Sequence, residues 1–334
     1  MVGFMWVVAL LLALVLALIP HLLWLFSWLI ARCLHHSVPY SPFGWSALLL
    51  VLLGWSLLSY GFFIGRLRFS VKEVAYAHPA VPKSFEGYRV VQISDLHLST
   101  FEDRPEVVQR MVDSVNAQNP DLICFTGDLI SLGVDEAYPY LEALRKLSAK
   151  DGVVAVLGNH DFMIYSRKFK TEEERMAETE RLLSFERDTL GWYVLRNESY
   201  RLLRGDDTIT VLGVDNHSCK EQGYRTVSLG DLPKAMEGTE GFRFLLSHDP
   251  THWDAEVLPE TDIPLQLSGH THSAQIRLGD WSPASWVFDE IAGLYKREDK
   301  YGERTLYVNV GLGCTLPIRI GCDGEITVMT FHSK

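Results

Sequence analysis

The chain has 334 residues, enough for one large α/β domain or two ordinary ones. Its charge is uneven, because residues 1–65 contain a single basic residue, Arg32, and no Asp or Glu, so the remainder holds 30 basic and 42 acidic residues. An acidic soluble part argues against nucleic acid as a partner, since phosphate contacts need a basic surface. The five cysteines form no C-x-x-C pair and their number is odd, which argues against a disulfide framework.

Two apolar runs, residues 2–31 and 43–64, open the chain. At about 1.5 Å per residue, each can cross a hydrocarbon layer of roughly 30 Å, and neither shows the polar face of a soluble core helix. We therefore predict a transmembrane helical hairpin over residues 1–65, with helices at about 4–31 and 43–64. No basic segment precedes the first run, so a cleaved signal peptide is the less favoured alternative.

The charges that flank the hairpin predict its orientation. The link between the helices carries Arg32, whereas Arg66, Arg68, Lys72 and Lys83 follow the second helix. Counting of positive charges therefore predicts that both termini lie in the cytoplasm. We expect a multi-pass protein of the inner or cell membrane with a cytoplasmic catalytic domain.

Residues 66–85 are predicted to be a linker, because Ala75 to Pro82 is rich in Ala and Pro, and a single domain is predicted over residues 86–334. Apolar runs predict strands at Tyr88–Ile93, Leu122–Phe125, Val153–Leu157, Ile209–Val214, Phe242–Leu246, Pro264–Leu267, Thr305–Asn309 and Ile326–Phe331. Amphipathic patterns predict helices at Pro105–Ala117, Ala137–Ser148, Thr171–Leu190 and Leu232–Met236. This order favours sheet layers flanked by helices over one wound parallel sheet.

Polar side chains follow five of the predicted strands, at the point where each strand ends. Residues two apart in an extended strand end point to the same side, as in Asp95-x-His97 and His270-x-His272. Carboxylate, imidazole and amide oxygen ligands suit Mn, Fe or Zn. The candidate metal ligands are Asp95, His97, Asp128, Asn159, His248, His270 and His272. They are too many for one tetrahedral zinc but suit two metals that share a carboxylate, for which Asp128 is the natural bridge.

Each of these motifs alone has an ordinary explanation. A lone His248 is more often a hydrogen-bonded histidine than a ligand, and Gly127-Asp128 or Asn159-His160-Asp161 is usually turn chemistry. The five motifs together, in this order, favour a metal centre.

The motifs Asp95-x-His97, Gly127-Asp128, Gly158-Asn159-His160-Asp161, His248 and Gly269-His270-Thr271-His272 resemble the five-block signature of calcineurin-like metallophosphoesterases. The resemblance covers roughly residues 86–331 and implies a four-layer αββα sandwich of two mixed sheets, with two divalent metal ions, Mn²⁺ or else Fe or Zn, at the strand ends. It implies that Asp95, His97, Asp128 and His272 hold one metal, and that Asp128, Asn159, His248 and His270 hold the other. It also implies that His160 faces the scissile phosphate as an acid/base or charge stabiliser, and that Asp161 orients His160.

The hairpin and the segment from Tyr307 to Arg319 resemble bacterial membrane-associated members of this family, some of which hydrolyse UDP-diacylglucosamine. This implies a phosphorylated lipid or nucleotide-lipid substrate and cleavage of a phosphodiester or diphosphate bond. A generic phosphodiesterase and a catalytically silent, metal-stabilised scaffold are the alternatives. One departure from the family is Ser273-Ala274, where relatives often have glycines.

The stretch from Gly279 to Phe288 carries Trp281, Trp286 and Phe288 around a proline, with neither strand alternation nor a helical stripe. One interpretation is that these aromatic side chains pack on the core. The other is that they form an apolar rim beside the metals that dips into the membrane interface, where Trp is favoured.

Overall fold

The computed structural model describes residues 2–334 of the chain. Its α-helices are α1 (Val2–Cys33), α2 (Ser41–Phe63), α3 (Pro105–Asn116), α4 (Leu141–Leu144), α5 (Glu172–Ser184), α6 (Leu232–Met236) and α7 (Leu258–Glu260). Its strands are β1 (Phe69–His78), β2 (Arg89–Ile93), β3 (Leu122–Phe125), β4 (Val153–Ala155), β5 (Tyr193–Val194), β6 (Glu198–Arg204), β7 (Asp207–Gly213), β8 (Phe242–Leu246), β9 (Leu265–Ser268), β10 (Gly293–Asp299), β11 (Gly302–Val308) and β12 (Gly324–Ser333).

The helices α1 and α2 form one compact unit, which also includes Pro317–Ile320. Trp55 Nε1 of α2 donates a hydrogen bond to Ala9 O of α1 at 3.0 Å. Apolar side chains on both helices are exposed, for example Leu14 on α1 and Trp45 on α2, as expected where the solvent is lipid. Both helices are long and apolar enough to cross a membrane. The two predicted helices are confirmed to within a few residues.

The second unit, Leu67–Leu316 with Gly321–Lys334, is built on two six-stranded mixed sheets. The first sheet has the order β1-β12-β2-β3-β4-β5, and the second has the order β10-β11-β9-β8-β7-β6. Strands β2, β3 and β4 are mutually parallel neighbours, and so are β8 and β9. The carboxyl ends of parallel neighbours lie at one edge of a sheet, so the polar residues that follow these strands are brought together there.

Three apolar clusters separate the layers of this unit. One lies between the sheets and is filled by alternate residues of the strands, such as Leu122 and Cys124 of β3 and Phe244 of β8. A second joins the first sheet to α3, and a third joins the second sheet to α6 and Trp253. The predicted αββα sandwich of two mixed sheets is confirmed.

The predicted linker over residues 66–85 is wrong, because residues 69–78 form strand β1. This strand pairs in parallel with β12 along its whole length, from Phe69↔Gly324 to His78↔Ser333. β1 lies at the edge of its sheet, and only one of its ten residues is buried. Edge strands tolerate charged residues such as Lys72 and Glu73, which hide the apolar alternation of a strand.

The predicted helix Ala137–Ser148 is also wrong over most of its length. Pro139 sits in a 3₁₀ turn, Tyr138–Tyr140, and only Leu141–Leu144 is α-helical. Proline lacks an N–H donor and clashes with the preceding turn, so it stops a helix from extending through it. The helix predicted at Thr171–Leu190 begins with a capping box at Thr171 and ends as an α-helix at Ser184, before a π-helical turn. The short or exposed strands β5, β6 and β10 were not predicted.

Candidate metal centre

All seven predicted metal ligands lie at the carboxyl ends of five strands. Asp95 and His97 follow β2, Asp128 follows β3 and Asn159 follows β4, whereas His248 follows β8 and His270 and His272 follow β9. Hydrogen bonds join the two sheets at this edge, since Gln92 Nε2 donates to Ser268 O at 2.8 Å and His248 Nδ1 contacts Thr126 O at 2.6 Å. The structure therefore brings all seven residues into one buried group.

The first set of donor atoms comes from Asp95, His97 and His272. His272 Nε2 lies 3.2 Å from Asp95 Oδ1 and 3.1 Å from His97 Nε2. Two imidazole nitrogens this close do not stabilise one another unless a proton or a cation lies between them. Ligand atoms that share a divalent ion at about 2.1 Å lie roughly 3.0–3.4 Å apart, so this set fits one cation.

The second set comes from Asn159, His248 and His270. Asn159 Oδ1 lies 3.1 Å from His248 Nε2 and 2.8 Å from His270 Nδ1, and the two imidazole nitrogens are 3.3 Å apart. Asn159 Nδ2 donates to Tyr165 OH at 2.9 Å, which turns the amide oxygen towards the histidines. This set fits a second cation.

Asp128 lies between the two sets. Its Oδ2 atom is 3.5 Å from His97 Nε2 and 3.2 Å from His248 Nε2. Its Oδ1 atom accepts a hydrogen bond from the backbone N–H of His160 at 2.8 Å, which fixes the carboxylate. Asp128 Oδ2 thus lies within 3.5 Å of a donor atom of each set, and its bridging of two metal ions stays a prediction.

Contacts on the far side of each imidazole select the nitrogen that faces the centre. His248 Nδ1 contacts Thr126 O, and His97 Nδ1 lies 3.3 Å from Ser131 Oγ, so both present Nε2 to the centre. His270 is turned the other way, because its Nε2 atom lies 2.8 Å from Gln222 Oε1. Partners of this kind fix the tautomer of a metal-binding histidine.

The backbone at the centre is strained. Asp95, His97, Asp128, His270 and His272 all have positive φ, between 40° and 73°, a region that costs non-glycine residues roughly 1–3 kcal/mol each. The turns also need close approach, since a Cβ on Gly158 would lie 2.2 Å from Asp128 Oδ1 and one on Gly269 would lie 2.0 Å from Ser94 Oγ. The motif glycines are required because the ligand side chains occupy that space.

The protonation of the ligands is set by burial and by mutual charge. Burial works to raise the pKa of Asp128, but charges on His248 and His160 outweigh it and hold that pKa well below its usual range. Burial, together with the charge of His160, lowers the pKa of His97 well below its usual range. Burial also works to lower the pKa of His248, but the Asp128 and Asp95 carboxylates prevail and raise it to about 10. A cation that binds here therefore has to displace a proton from His248.

His160 lines the centre, but Asp161 does not orient it as predicted. His160 Nδ1 lies 2.9 Å from Ser131 O, so the Ser131 carbonyl fixes the imidazole. The Asp161 carboxylate instead accepts backbone N–H groups from Gly158, Asp128 and Leu129 at 2.8–3.1 Å. Burial and the Asp128 charge raise the pKa of Asp161 to about 8, against the effect of the Gly158 and Asp128 N–H groups. The role of Asp161 is to hold together the two loops that carry Asp128 and Asn159.

Gln222, which is buried beside the centre, was not predicted from the sequence. Its Nε2 atom donates to Asp249 Oδ2 at 2.6 Å, and its Oε1 atom accepts from His270 Nε2. Tyr224 OH lies 3.1 Å from the same histidine nitrogen. Gln222 and Tyr224 lie in an aperiodic polar segment with no strand end or motif, so the only sequence signal was Asp249, directly after His248.

A cavity of about 390 Å³ opens onto the centre. His160, Tyr165 and Tyr224 contribute polar lining. Thr271, Gln275 and Thr315 also line the cavity. The apolar part of the lining, called the apolar wall below, consists of Ala274, Pro283, Ala284, Val287, Phe288 and Leu316. The cavity therefore combines a charged floor, made by the candidate metal ligands, with an apolar part of its lining.

The aromatic stretch divides between the two interpretations made from sequence. Phe288 is buried, and its ring lies 5.5 Å from that of His270, so it belongs to the cavity wall rather than to an exposed rim. Trp286 is 78% exposed and Trp281 is 43% exposed, and their rings pack edge to face at 5.8 Å. The two tryptophans form an exposed pair next to the apolar wall.

Comparison with known proteins agrees with this geometry. A sequence model of calcineurin-like phosphoesterases matches residues 88–274. The metallophosphoesterase YkuE of Bacillus subtilis is 34% identical over 267 residues, which cover 76% of this chain and 82% of that protein. A transmembrane protein with a metallophosphoesterase domain from Danio rerio is 31% identical over 255 residues, 74% of this chain and 54% of that protein. UDP-2,3-diacylglucosamine pyrophosphatase LpxG of Chlamydia trachomatis is 28% identical over 296 residues, 75% of this chain and 86% of that protein.

Asp128→Asn should lose more bound metal than any other single ligand substitution, because Asp128 Oδ2 approaches both sets of donors. The measurement is the metal content of the purified protein by mass spectrometry after equilibration with Mn²⁺. Asp95→Asn is the matched control, since Asp95 Oδ1 lies 3.2 Å from His272 Nε2 of the first set but 3.9 Å from His248 Nε2 of the second, and its loss should affect mainly one ion. Equal metal content in wild type and Asp128→Asn would contradict the bridging role.

Gln222→Leu should raise the dissociation constant of the second metal about 10- to 100-fold, the usual cost of losing a partner that orients a metal-binding histidine. Tyr224→Phe is the control, because it removes a hydroxyl near the same nitrogen and keeps Gln222 in place. Metal titration followed by calorimetry separates the two variants. If both lose the same affinity, or neither does, Gln222 does not orient His270.

Proposed function

Because the chain belongs to the calcineurin-like metallophosphoesterase family, we propose that it is a membrane-anchored hydrolase of a phosphodiester or diphosphate bond in a phosphorylated lipid, such as a UDP-lipid. The family and the two sets of metal-binding side chains make it a metal-dependent hydrolase. The lipid substrate is our proposal, and the observation that carries it is the cavity with a charged floor and an apolar wall. Mn²⁺ is the metal we expect, with Fe and Zn as the alternatives.

The chemistry divides between the metals and the residues of the chain. Two divalent ions, when bound, neutralise phosphate oxygens and lower the pKa of water. Asp128 and Asp95 would hold the ions together with the imidazole and amide ligands of the two sets. His160 is held through Nδ1 by the Ser131 carbonyl, so its Nε2 atom would be available to contact the phosphate or to give a proton to the leaving group. An imidazole in this position serves as acid/base or as a charge stabiliser.

The apolar wall favours a lipid over a small water-soluble substrate. Apolar area removed from water contributes roughly 25 cal/mol per Å², and a nucleotide or sugar phosphate has little apolar surface to place against Val287, Phe288 and Leu316. An acyl chain has such surface. The exposed Trp281 and Trp286 lie beyond this wall, and tryptophan is favoured at the interface between bilayer and water.

The comparison with LpxG supports the same substrate class, because the alignment covers most of both chains. That protein is named as a UDP-2,3-diacylglucosamine pyrophosphatase. The experiment that tests the proposal is hydrolysis of UDP-2,3-diacylglucosamine and of bis-p-nitrophenyl phosphate by the purified, Mn²⁺-loaded protein. Cleavage of the diester alone would favour a generic phosphodiesterase. Failure on both substrates with metal bound would favour a silent scaffold.

We also propose that the catalytic domain is cytoplasmic, from the positive charges Arg66, Arg68, Lys72 and Lys83 after the second helix. A fluorescent protein fused after Lys334 should then fluoresce, and an alkaline phosphatase fused at the same point should be inactive. The opposite result would place the centre outside the cytoplasm, where a nucleotide-activated lipid is not expected.

His160→Ala should leave metal content near that of wild type and lower turnover of the diester by a factor on the order of 10²–10⁴, the usual range for a positioned acid/base. Turnover and metal content are measured on the same preparation. His160 also lies close to His97 and Asp128 in a group that could hold a cation. Loss of metal from the variant would therefore show that His160 is a ligand.

Trp281→Ala combined with Trp286→Ala should raise KM for the lipid in mixed micelles about 10-fold or more, since burial of one large apolar side chain contributes roughly 2 kcal/mol. Hydrolysis of the small diester should not change. The control is Tyr193→Ala combined with Leu203→Ala, two exposed apolar side chains on β5 and β6. A parallel loss on both substrates, or a fall in thermal stability alone, would assign the tryptophans to packing.

A further inference from the structure

A second cluster of metal-binding side chain types lies outside the centre described above. His217 follows β7, and His252 directly precedes the π-helical turn Trp253–Val257 that contains Glu256. Glu256 Oε2 lies 3.0 Å from His252 Nε2 and 3.3 Å from His217 Nε2. The two imidazole rings are 4.8 Å apart. None of these three residues belongs to the ligands of the dinuclear centre.

We propose that His217, His252 and Glu256 form a third metal site, for a single Zn²⁺-type cation. One donor atom from each residue lies within 4.8 Å of the other two. Nitrogen and oxygen ligands on a tetrahedral zinc at about 2.0–2.1 Å are about 3.4 Å apart, so the two measured contacts need little adjustment. Side-chain exposure of 22% for His217 and 21% for Glu256 leaves the fourth position open to water.

The protonation states suit a cation. A hydrogen bond from His252 lowers the pKa of Glu256, so Glu256 is an anion at neutral pH. Burial lowers the pKa of His217, which favours its neutral form. His252 Nδ1 lies 2.9 Å from Ser247 Oγ, and a proton on Nδ1 leaves Nε2 for the metal.

Hydrogen bonding alone explains only part of the cluster. Glu256 can accept hydrogen bonds from both histidines. For His252 this satisfies both ring nitrogens, because its Nδ1 atom contacts Ser247 Oγ. His217 Nδ1, however, is buried without a hydrogen-bond partner among residues 2–334. A histidine kept for structure usually has both nitrogens satisfied. The hydrogen bonds therefore leave His217 with one polar contact, at Nε2, and the proposal depends on the convergence of the three donor atoms rather than on this nitrogen.

The site would fasten one loop to the catalytic sheet. His217 and Ser228 form an isolated β-bridge, so they close the base of the loop they bound. This loop carries Gln222 and Tyr224 to His270. His252 lies four residues beyond His248, on the segment that follows β8. A cation held by His217 and His252 therefore ties the base of this loop to the strand end that supplies a ligand of the dinuclear centre.

The test is metal stoichiometry of the full chain in detergent, equilibrated with Zn²⁺, desalted and measured by mass spectrometry. Wild type should hold about three equivalents and His217→Ala about two, because the dinuclear centre keeps its own ions. Glu256→Gln should lose the same equivalent, since it keeps a hydrogen-bond acceptor but not the charge. His332→Ala is the matched control, as His332 pairs with a single carboxylate, Glu86, at 2.7 Å, and it should change nothing.

The same substitution in an Asp128→Asn background separates this site from the dinuclear centre. Asp128→Asn should keep the third equivalent, and Asp128→Asn with His217→Ala should lose it, whatever happens to the other ions. Co²⁺ in the Asp128→Asn protein should give the intense visible absorption of a tetrahedral site, and His217→Ala should abolish it. Equal metal content with and without His217, in folded variants of unchanged thermal stability, overturns the proposal.

Discussion

Two carboxylates, Asp95 and Asp128, are almost completely removed from water at the ends of two adjacent parallel strands, and the arrangement of the centre follows from the cost of burying them. An isolated ionised carboxylate in an apolar interior costs many kcal/mol unless it is paired. Here each carboxylate meets imidazole nitrogens and backbone N–H groups, and two cations would complete the compensation. Directing so many polar groups at one point requires a strained backbone. Five ligands have left-handed backbone conformations, and Gly158 and Gly269 leave no room for a Cβ atom.

The part of this centre that sequence predicts is the part that is local in the chain. Two ligand pairs, Asp95 with His97 and His270 with His272, can be recognised from sequence because each directly follows a buried strand. Parallel pairing of the strands is then enough to bring these ends together. The role of Gln222 cannot be predicted in this way, because it lies 48 residues from His270 and its segment has no periodicity. The error over Asp161 has the same origin: its position next to His160 suggested a pair, whereas its carboxylate turns to the backbone of the Asp128 loop.

The fold shows the same division. β2, β3 and β8 were predicted within a residue because continuous apolar runs mark strands buried on both faces. β1 was missed because it is an edge strand whose partner, β12, lies about 250 residues further along the chain. Pairing at that distance leaves no mark on the local pattern, and the exposed face allows charged residues. Pro139 led to the opposite error, in which a helix was predicted but most of it does not form. The neighbouring residues favour a helix, but this one proline interrupts it.

The charge of the chain bears on how such an enzyme would reach a lipid. The part of the chain after residue 65 carries 42 acidic and 30 basic residues, and an anionic leaflet attracts a protein by about 1 kcal/mol for each Lys or Arg near its surface. Electrostatic attraction is therefore not expected to bring this domain to an anionic membrane. A transmembrane hairpin in the same chain avoids the problem, because it keeps the domain at the membrane whatever its charge. Under the proposed function, contact with the substrate would then rest on uncharged groups such as Trp281 and Trp286, whose preference for the interface does not depend on salt. Under the same proposal, a membrane anchor takes the place of the basic surface that would otherwise draw the domain to an anionic leaflet, so the acidic charge of the domain is consistent with a lipid substrate.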